Sequence, residues 1–217
     1  MKCSNMVPVT APLPPHAPRT LDDLATWARH YAFHFLKQHG NIRPAFFILT
    51  AEGSYGVMIC ALGDFGPEDK DTYAKLCQTV ALAANVTRAV LCVEIWASEQ
   101  TVPMPPTGSP MPEVRPSEDP NRKELVCLVR QTRNTCASTF LNIVRLDGPK
   151  RQFFNLTDNT EMGTLEAVPR EQSDSRFDWL LPAVEPSPET RTAARVWLEL
   201  QGVDLKKIIL KPHGRLR

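Results

Sequence analysis

Residues 87–97 read Thr-Arg-Ala-Val-Leu-Cys-Val-Glu-Ile-Trp-Ala, and this stretch decides the fold. In an extended strand, alternate side chains point to opposite sides. Leu91, Val93, Ile95 and Ala97 then share one side, and Val90, Cys92, Glu94 and Trp96 share the other. Both rows are largely apolar, as in a strand covered on both faces.

Working outward, Arg43 to Ala51 and Tyr55 to Leu62 form a hairpin about Glu52-Gly53-Ser54. A helix begins near Pro67, with acidic residues in its first turn, and runs to about Ala84. Another precedes the hairpin. Thr20 caps it, Leu21, Leu24, Ala28, Tyr31 and Phe35 form its stripe, and His39-Gly40 ends it. Downstream, Lys123 to Thr132 and Cys136 to Leu146 form a second antiparallel pair, with Gln152 to Leu156 a candidate extension. Pro186 to Gln201 has the pattern of a last helix, with cap Ser187, stop Gly202 and stripe Ala193, Val196, Trp197 and Leu200. The order implies an α+β fold, a mixed or antiparallel sheet of about five strands with helices on one face. It is similar to the order in profilin-like (roadblock/longin) folds. The two-faced strands, 43–49 and 125–130, leave a second face to be covered by the C-terminal segment or by another copy of the chain.

Composition narrows the classes. The chain has 217 residues, 42% of them apolar, enough for one ordinary core. Lys and Arg number 25 against 24 Asp and Glu, so nothing in the overall charge favours nucleic acid. The local basic excess is the tail, Lys206, Lys207, Lys211, Arg215 and Arg217. Six cysteines without a C-x-x-C pair lie mostly in apolar runs, which fits a reducing, cytoplasmic setting. No run reaches membrane-helix length, and the early prolines argue against a signal peptide. Residues 1–19 read as a proline-rich disordered arm and 20–156 as the core domain. Within the core, 99–121 is a flexible loop holding seven prolines, and 157–217 is a C-terminal extension whose one helix packs on the core.

Glu94, Glu118, Asp119, Arg122 and Glu124 are the sharpest constellation, because they flank the long loop at one sheet end. Clustered carboxylates bind divalent metals or act as acid and base. The plainer role is an ion pair, with Arg122 pinning the loop base. His30 and His34 stand four apart on the first helix and are candidate metal ligands, although Tyr31 takes the place of the glutamate in a metalloprotease motif. Phe33 and Leu82 lie opposite their helix stripes and are candidate interface residues. Trp27, Trp96, Trp179 and Trp197 each fit an apolar stripe and read as core, with interface anchoring the alternative. Phosphate-binding, dinucleotide-binding and nucleophile-elbow motifs are missing from the sequence, and no cofactor is expected.

Two stretches, Glu94-Ile-Trp-Ala and Pro116-Ser-Glu-Asp-Pro-Asn-Arg-Lys-Glu124, resemble a family of small bacterial and phage proteins of uncharacterised function. There an E-x-W strand is followed by an S-x-x-P-x-R-x-E loop. The resemblance covers roughly residues 20–146 and implies a prokaryotic or phage origin. The resemblance carries no function; the two-faced strands, the off-stripe Phe33 and Leu82, the proline-rich arms and the missing catalytic motifs lead us to expect a non-enzymatic binding or assembly protein that acts through protein contacts and forms a homodimer. The alternatives are a metal-dependent hydrolase or nuclease using Glu94, Asp119 and Glu124, with His30 or His34 nearby, and a nucleic-acid-associated accessory protein using the basic tail.

Overall fold

The computed structural model describes residues 16–60, 67–97, 122–147, 152–160, 162–173 and 176–210. Most of the expected arm and all of the 99–121 loop lie outside these residues. Helix α1 spans Leu21–His39. The Asp23 N–H donates to Thr20 Oγ1 at 3.1 Å, and the Thr20 N–H donates back to Asp23 Oδ2 at 2.9 Å, closing a capping box. These bonds hold the Asp23 carboxyl below the usual range, the Arg19 backbone N–H contributing most. At the other end Gly40 takes φ 74°, a left-handed conformation that costs glycine little.

Strands β1 (Ala45–Thr50) and β2 (Tyr55–Ile59) make the expected hairpin, and α2 (Pro67–Ala83) follows. The deciding stretch lies within β3 (Val86–Ala97), which pairs with β1 on one side and with β4 (Lys123–Thr132) on the other. Strands β5 (Cys136–Asp147), β6 (Gln152–Asp158) and β7 (Thr164–Glu166) continue the sheet. Helices α3 (Pro188–Leu200) and α4 (Leu205–Ile208) lead to β8 (Ile209–Leu210). The order is β6-β5-β4-β3-β1-β2-β8, with β7 beside β5, and every pairing is antiparallel.

The α+β class stands, with eight strands where about five were expected. The unanticipated β7 is three residues long, too short to show a period of two, whereas Leu205 to Leu210, read from sequence as a candidate last strand, is strand only over its final two residues, β8. The helices also differ from expectation, because they cover both faces. Helix α1 packs on the row containing Val90, Cys92, Val126 and Leu128. Helices α2 and α3 close the opposite row, with Leu91, Val93, Leu125 and Cys127. The physical reason is the two-faced strand itself: each of its apolar rows needs a layer, and one early helix goes to each. Of the two covers expected for the second face, the C-terminal segment contributes through Ala194 and Leu198 of α3, so the two-faced strands do not by themselves call for a second copy.

Two further differences follow from sheet curvature and helix choice. Phe33 lies opposite the α1 stripe, yet it is half-buried against the α1-side core. It lines a 280 Å³ cleft with Thr26, Arg29, His30, Asn155 and Leu156, while Arg29 Nη1 reaches Asp158 Oδ1 at 2.8 Å. Strand β6 thus curls round to the side of α1 turned away from β3. Leu82 is likewise half-buried against the α2-side core. Neither is the exposed contact expected from its helical position. In α3, cap Ser187 and Gly202 (φ 77°) stand where expected, but the buried residues are Ala194 and Leu198. The expected stripe points outward, with Val196 51% and Leu200 79% exposed.

The segment before α3 is fastened by Gln131, which is 1% exposed. Its Nε2 donates to the Phe177 carbonyl, and its Oε1 accepts from the Leu180 N–H, both at 2.7 Å. Between those anchors Trp179 adopts φ 56°, rare for a bulky residue. Its indole Nε1 donates to the Val168 carbonyl at 2.9 Å, and the Arg170 guanidinium lies 4.8 Å from its ring centroid.

Candidate functional site

The β3–β4 register brings part of the acidic constellation together. Trp96 stands opposite Glu124 and Glu94 opposite Val126, so Glu94, Trp96 and Glu124 lie on the α1 side of the sheet. Glu118 and Asp119 lie outside the described residues. The strand alternation read from sequence is what fixes this grouping, because it puts Glu94 in the row of Cys92 and Val90.

Glu94 is half-buried where the chain turns from α1 into β1. Its Oε2 accepts the Ile42 N–H at 2.9 Å. Desolvation pushes its carboxyl above the ordinary range. The bond from Ile42 opposes that shift, the neighbouring Glu124 adds to it, and the Arg145 cation reduces it. Glu124 is held by Arg145. The Arg145 Nε donates to Glu124 Oε2 at 2.6 Å, with a second contact from Nη2, and Nη1 donates to the Gly40 carbonyl at 3.4 Å. A guanidinium fork of this kind binds a carboxylate through more than one N–H. One side chain on β5 therefore ties the start of β4 to the end of α1.

Trp96 is 45% exposed, and the Arg122 guanidinium lies over it, 5.0 Å from the ring centroid. Beside the pair is an open cleft of 530 Å³ lined by Arg122, Lys123, Glu124, Asn142, Ile143 and Arg145. The expectation that Trp96 is core is overturned: the strand carries it past the end of α1. Arg145 was not anticipated, although the β4–β5 hairpin is visible in sequence. Extending that pairing from its turn places Arg145 one strand away from Glu124.

The other candidates are placed as follows. His30 is exposed and His34 half-buried on α1. Among the described residues, no group of three or more His, Cys, Asp and Glu side chains stands where it could hold a metal ion. Cys60, Cys77, Cys92, Cys127 and Cys136 are free and buried. Burial pushes the thiols of Cys77, Cys92 and Cys136 up, and that of Cys127 to about 11, away from the range of a nucleophile. Lys206 and Lys207 are exposed on α4, and the remaining tail cations lie outside the described residues. Among the described residues no helix is long and apolar enough to cross a membrane.

Compared with protein families, curated proteins and solved structures, the chain finds no match in any of the three.

Proposed function

We propose that this chain is a non-enzymatic binding or assembly protein of bacterial or phage origin that acts through protein contacts. The contacts centre on the strand ends where Trp96 and Arg122 stack. The observation that carries this reading is a division of labour within the candidate cluster. Its placed carboxylates serve the fold, Glu94 by accepting the Ile42 N–H and Glu124 by holding Arg145. The groups turned to solvent are an aromatic and a cation. Tryptophan and arginine are the side chains most enriched at the energetic centres of protein interfaces. Five buried free thiols support a reducing, cytoplasmic setting.

The test replaces Trp96 with a photo-crosslinking amino acid in the full chain, made in bacterial cells and irradiated there. The expected result is a discrete adduct heavier than the 24.3 kDa chain. The same label at exposed Glu166 serves as control and gives no such adduct. Equal labelling at both positions, or none at 96, contradicts the reading.

A further inference from the structure

We infer that a second copy of this chain pairs with β6, the two strands running antiparallel about a two-fold axis at Asn155 and joining two sheets into one. The sheet has two edges, and the chain itself meets one of them: Tyr55 and Gly56 of β2 pair with β8. The other edge is β6, and among the described residues no strand lies on its far side. An edge strand presents a row of main-chain N–H and C=O groups, which native proteins blunt with proline, lysine or a bulge. Residues 152–158, Gln-Phe-Phe-Asn-Leu-Thr-Asp, contain neither proline nor lysine, and they pair with β5 without a register shift. Their one charge, Asp158, is engaged by Arg29 at 2.8 Å. Asn155, Thr157 and Asp158 are exposed, so the edge is open to an incoming chain.

The hydrogen bonds fix which groups face outward. The Asn159 N–H donates to the Phe140 carbonyl at 3.1 Å, continuing the register in which Asp158 stands opposite Leu141. Bonded pairs recur at every second residue of an antiparallel ladder. Thr157, Asn155 and Phe153 therefore bond to β5, and the main-chain groups of Gln152, Phe154, Leu156 and Asp158 point away from it. Leu156 fits this alternation, because its N–H donates to the side chain of Asn155, at 2.9 Å from Oδ1, the place an incoming carbonyl takes. These four positions select the partner. Strand β6 begins and ends on an outward residue, so a two-fold axis at Asn155 sets Phe154 opposite Leu156 and Gln152 opposite Asp158 of the other copy. Every outward position of one strand then meets an outward position of its twin, and no like charges fall opposite each other. A shift of two residues leaves an outward position at the strand end unmatched. The pattern thus complements itself, as a two-fold interface requires. At about 3.3 Å per residue the strand spans roughly 23 Å, less than a standard interface, so the dimer dissociates on dilution.

The test is light scattering coupled to size exclusion on the full chain over a range of concentrations. The wild-type mass is expected to rise from 24.3 kDa toward twice that value. Amide hydrogen exchange read residue by residue locates the contact. The Leu156 and Asp158 amides, which point away from β5, are expected to become protected only at high concentration, while those of Asn155 and Thr157 exchange alike throughout. Asn155→Lys and Asn155→Glu each set like charges opposite one another at the axis. Each variant alone is expected to stay at the single-chain mass with unchanged far-ultraviolet circular dichroism, and the two mixed in equal amounts associate. A wild type that stays at 24.3 kDa throughout overturns the inference, and the adduct at position 96 then judges the contact reading separately. Association without added protection at Leu156 and Asp158, either variant associating alone as wild type does, or a mixture that stays at the single-chain mass overturns pairing through β6 about Asn155.

Discussion

Glu94 is the residue on which catalyst and scaffold readings diverge, and two substitutions separate its charge from its hydrogen bond. Its Oε2 accepts the N–H of Ile42, a residue only 6% exposed. Glu94→Ala leaves that N–H without its acceptor in a place where water reaches it poorly. The cost is about 1–3 kcal/mol, the range for a buried donor left unpaired. Glu94→Gln keeps an oxygen acceptor and removes the charge, so it is expected to lie within about 0.5 kcal/mol of wild type near neutral pH. The two variants also differ in pH dependence. Burial raises the carboxyl of the folded chain above its ordinary value. The folded state therefore binds the proton more tightly than the unfolded chain. This contributes a penalty that is absent below the unfolded value of about 4.3, grows as pH rises through the window between the two values, and is complete above the folded one. Glu94→Gln lacks that slope. Urea unfolding followed by tryptophan fluorescence, at neutral pH and again near the ordinary carboxylate pKa, measures both effects. A Gln variant as unstable as the Ala variant, or an Ala variant as stable as wild type, refutes the assignment of Glu94 to holding the α1–β1 turn.

Other expectations concern the strap, the thiols, the exposed aromatic and the helix stop. Gln131→Ala removes two bonds of 2.7 Å to the Phe177 carbonyl and the Leu180 N–H, and is expected to cost about 2–4 kcal/mol in urea unfolding. Faster hydrogen exchange at the Leu180 amide accompanies it. In native buffer a thiol reagent is expected to label Cys3 at most, the five cysteines from Cys60 to Cys136 reacting only as the chain unfolds. Rapid native labelling of several thiols contradicts the two cores described above. Trp96→Ala, at a position 45% exposed, is expected to change unfolding free energy by no more than about 0.5 kcal/mol while abolishing contact at the strand ends. Gly202→Ala is expected to cost about 1 kcal/mol although nothing lies within 4 Å of the added methyl group, since φ is +77° there.

What the sequence conveyed follows from which physical signals are local. The period-two alternation of β3 and the caps Thr20 and Ser187 are set by neighbours in the chain, and they appear in the structure as read. The face of α3 that is buried is not a local property. Two stripes exist on that helix, and the larger side chains, Val196 and Leu200, lie on the exposed one. Ala194 and Leu198 join the core that α2 shares, and which stripe turns inward depends on where α2 lies rather than on which stripe is more hydrophobic. Phe33 depended on the curl of the sheet, which brings β6 to a side of α1 that helical periodicity marks as outward. In the candidate site, the β3–β4 register sets Glu94 opposite Val126 and Glu124 opposite Trp96, so the two carboxylates stand diagonally on one side of the sheet. The partner of Glu124 was harder to see, because Arg145 is 21 residues away, on the next strand. Arg122, read from sequence as pinning the loop base, places its guanidinium over Trp96.

The most direct test of whether these acids serve structure or chemistry is thermal unfolding of the full chain with and without Mg²⁺, Mn²⁺ or Zn²⁺, for wild type and Glu94→Gln together. A metal that binds the folded chain specifically raises its Tm by mass action. The account predicts no metal-dependent rise in either protein. A rise in wild type that disappears in Glu94→Gln would contradict it, and would place a cation at the strand ends.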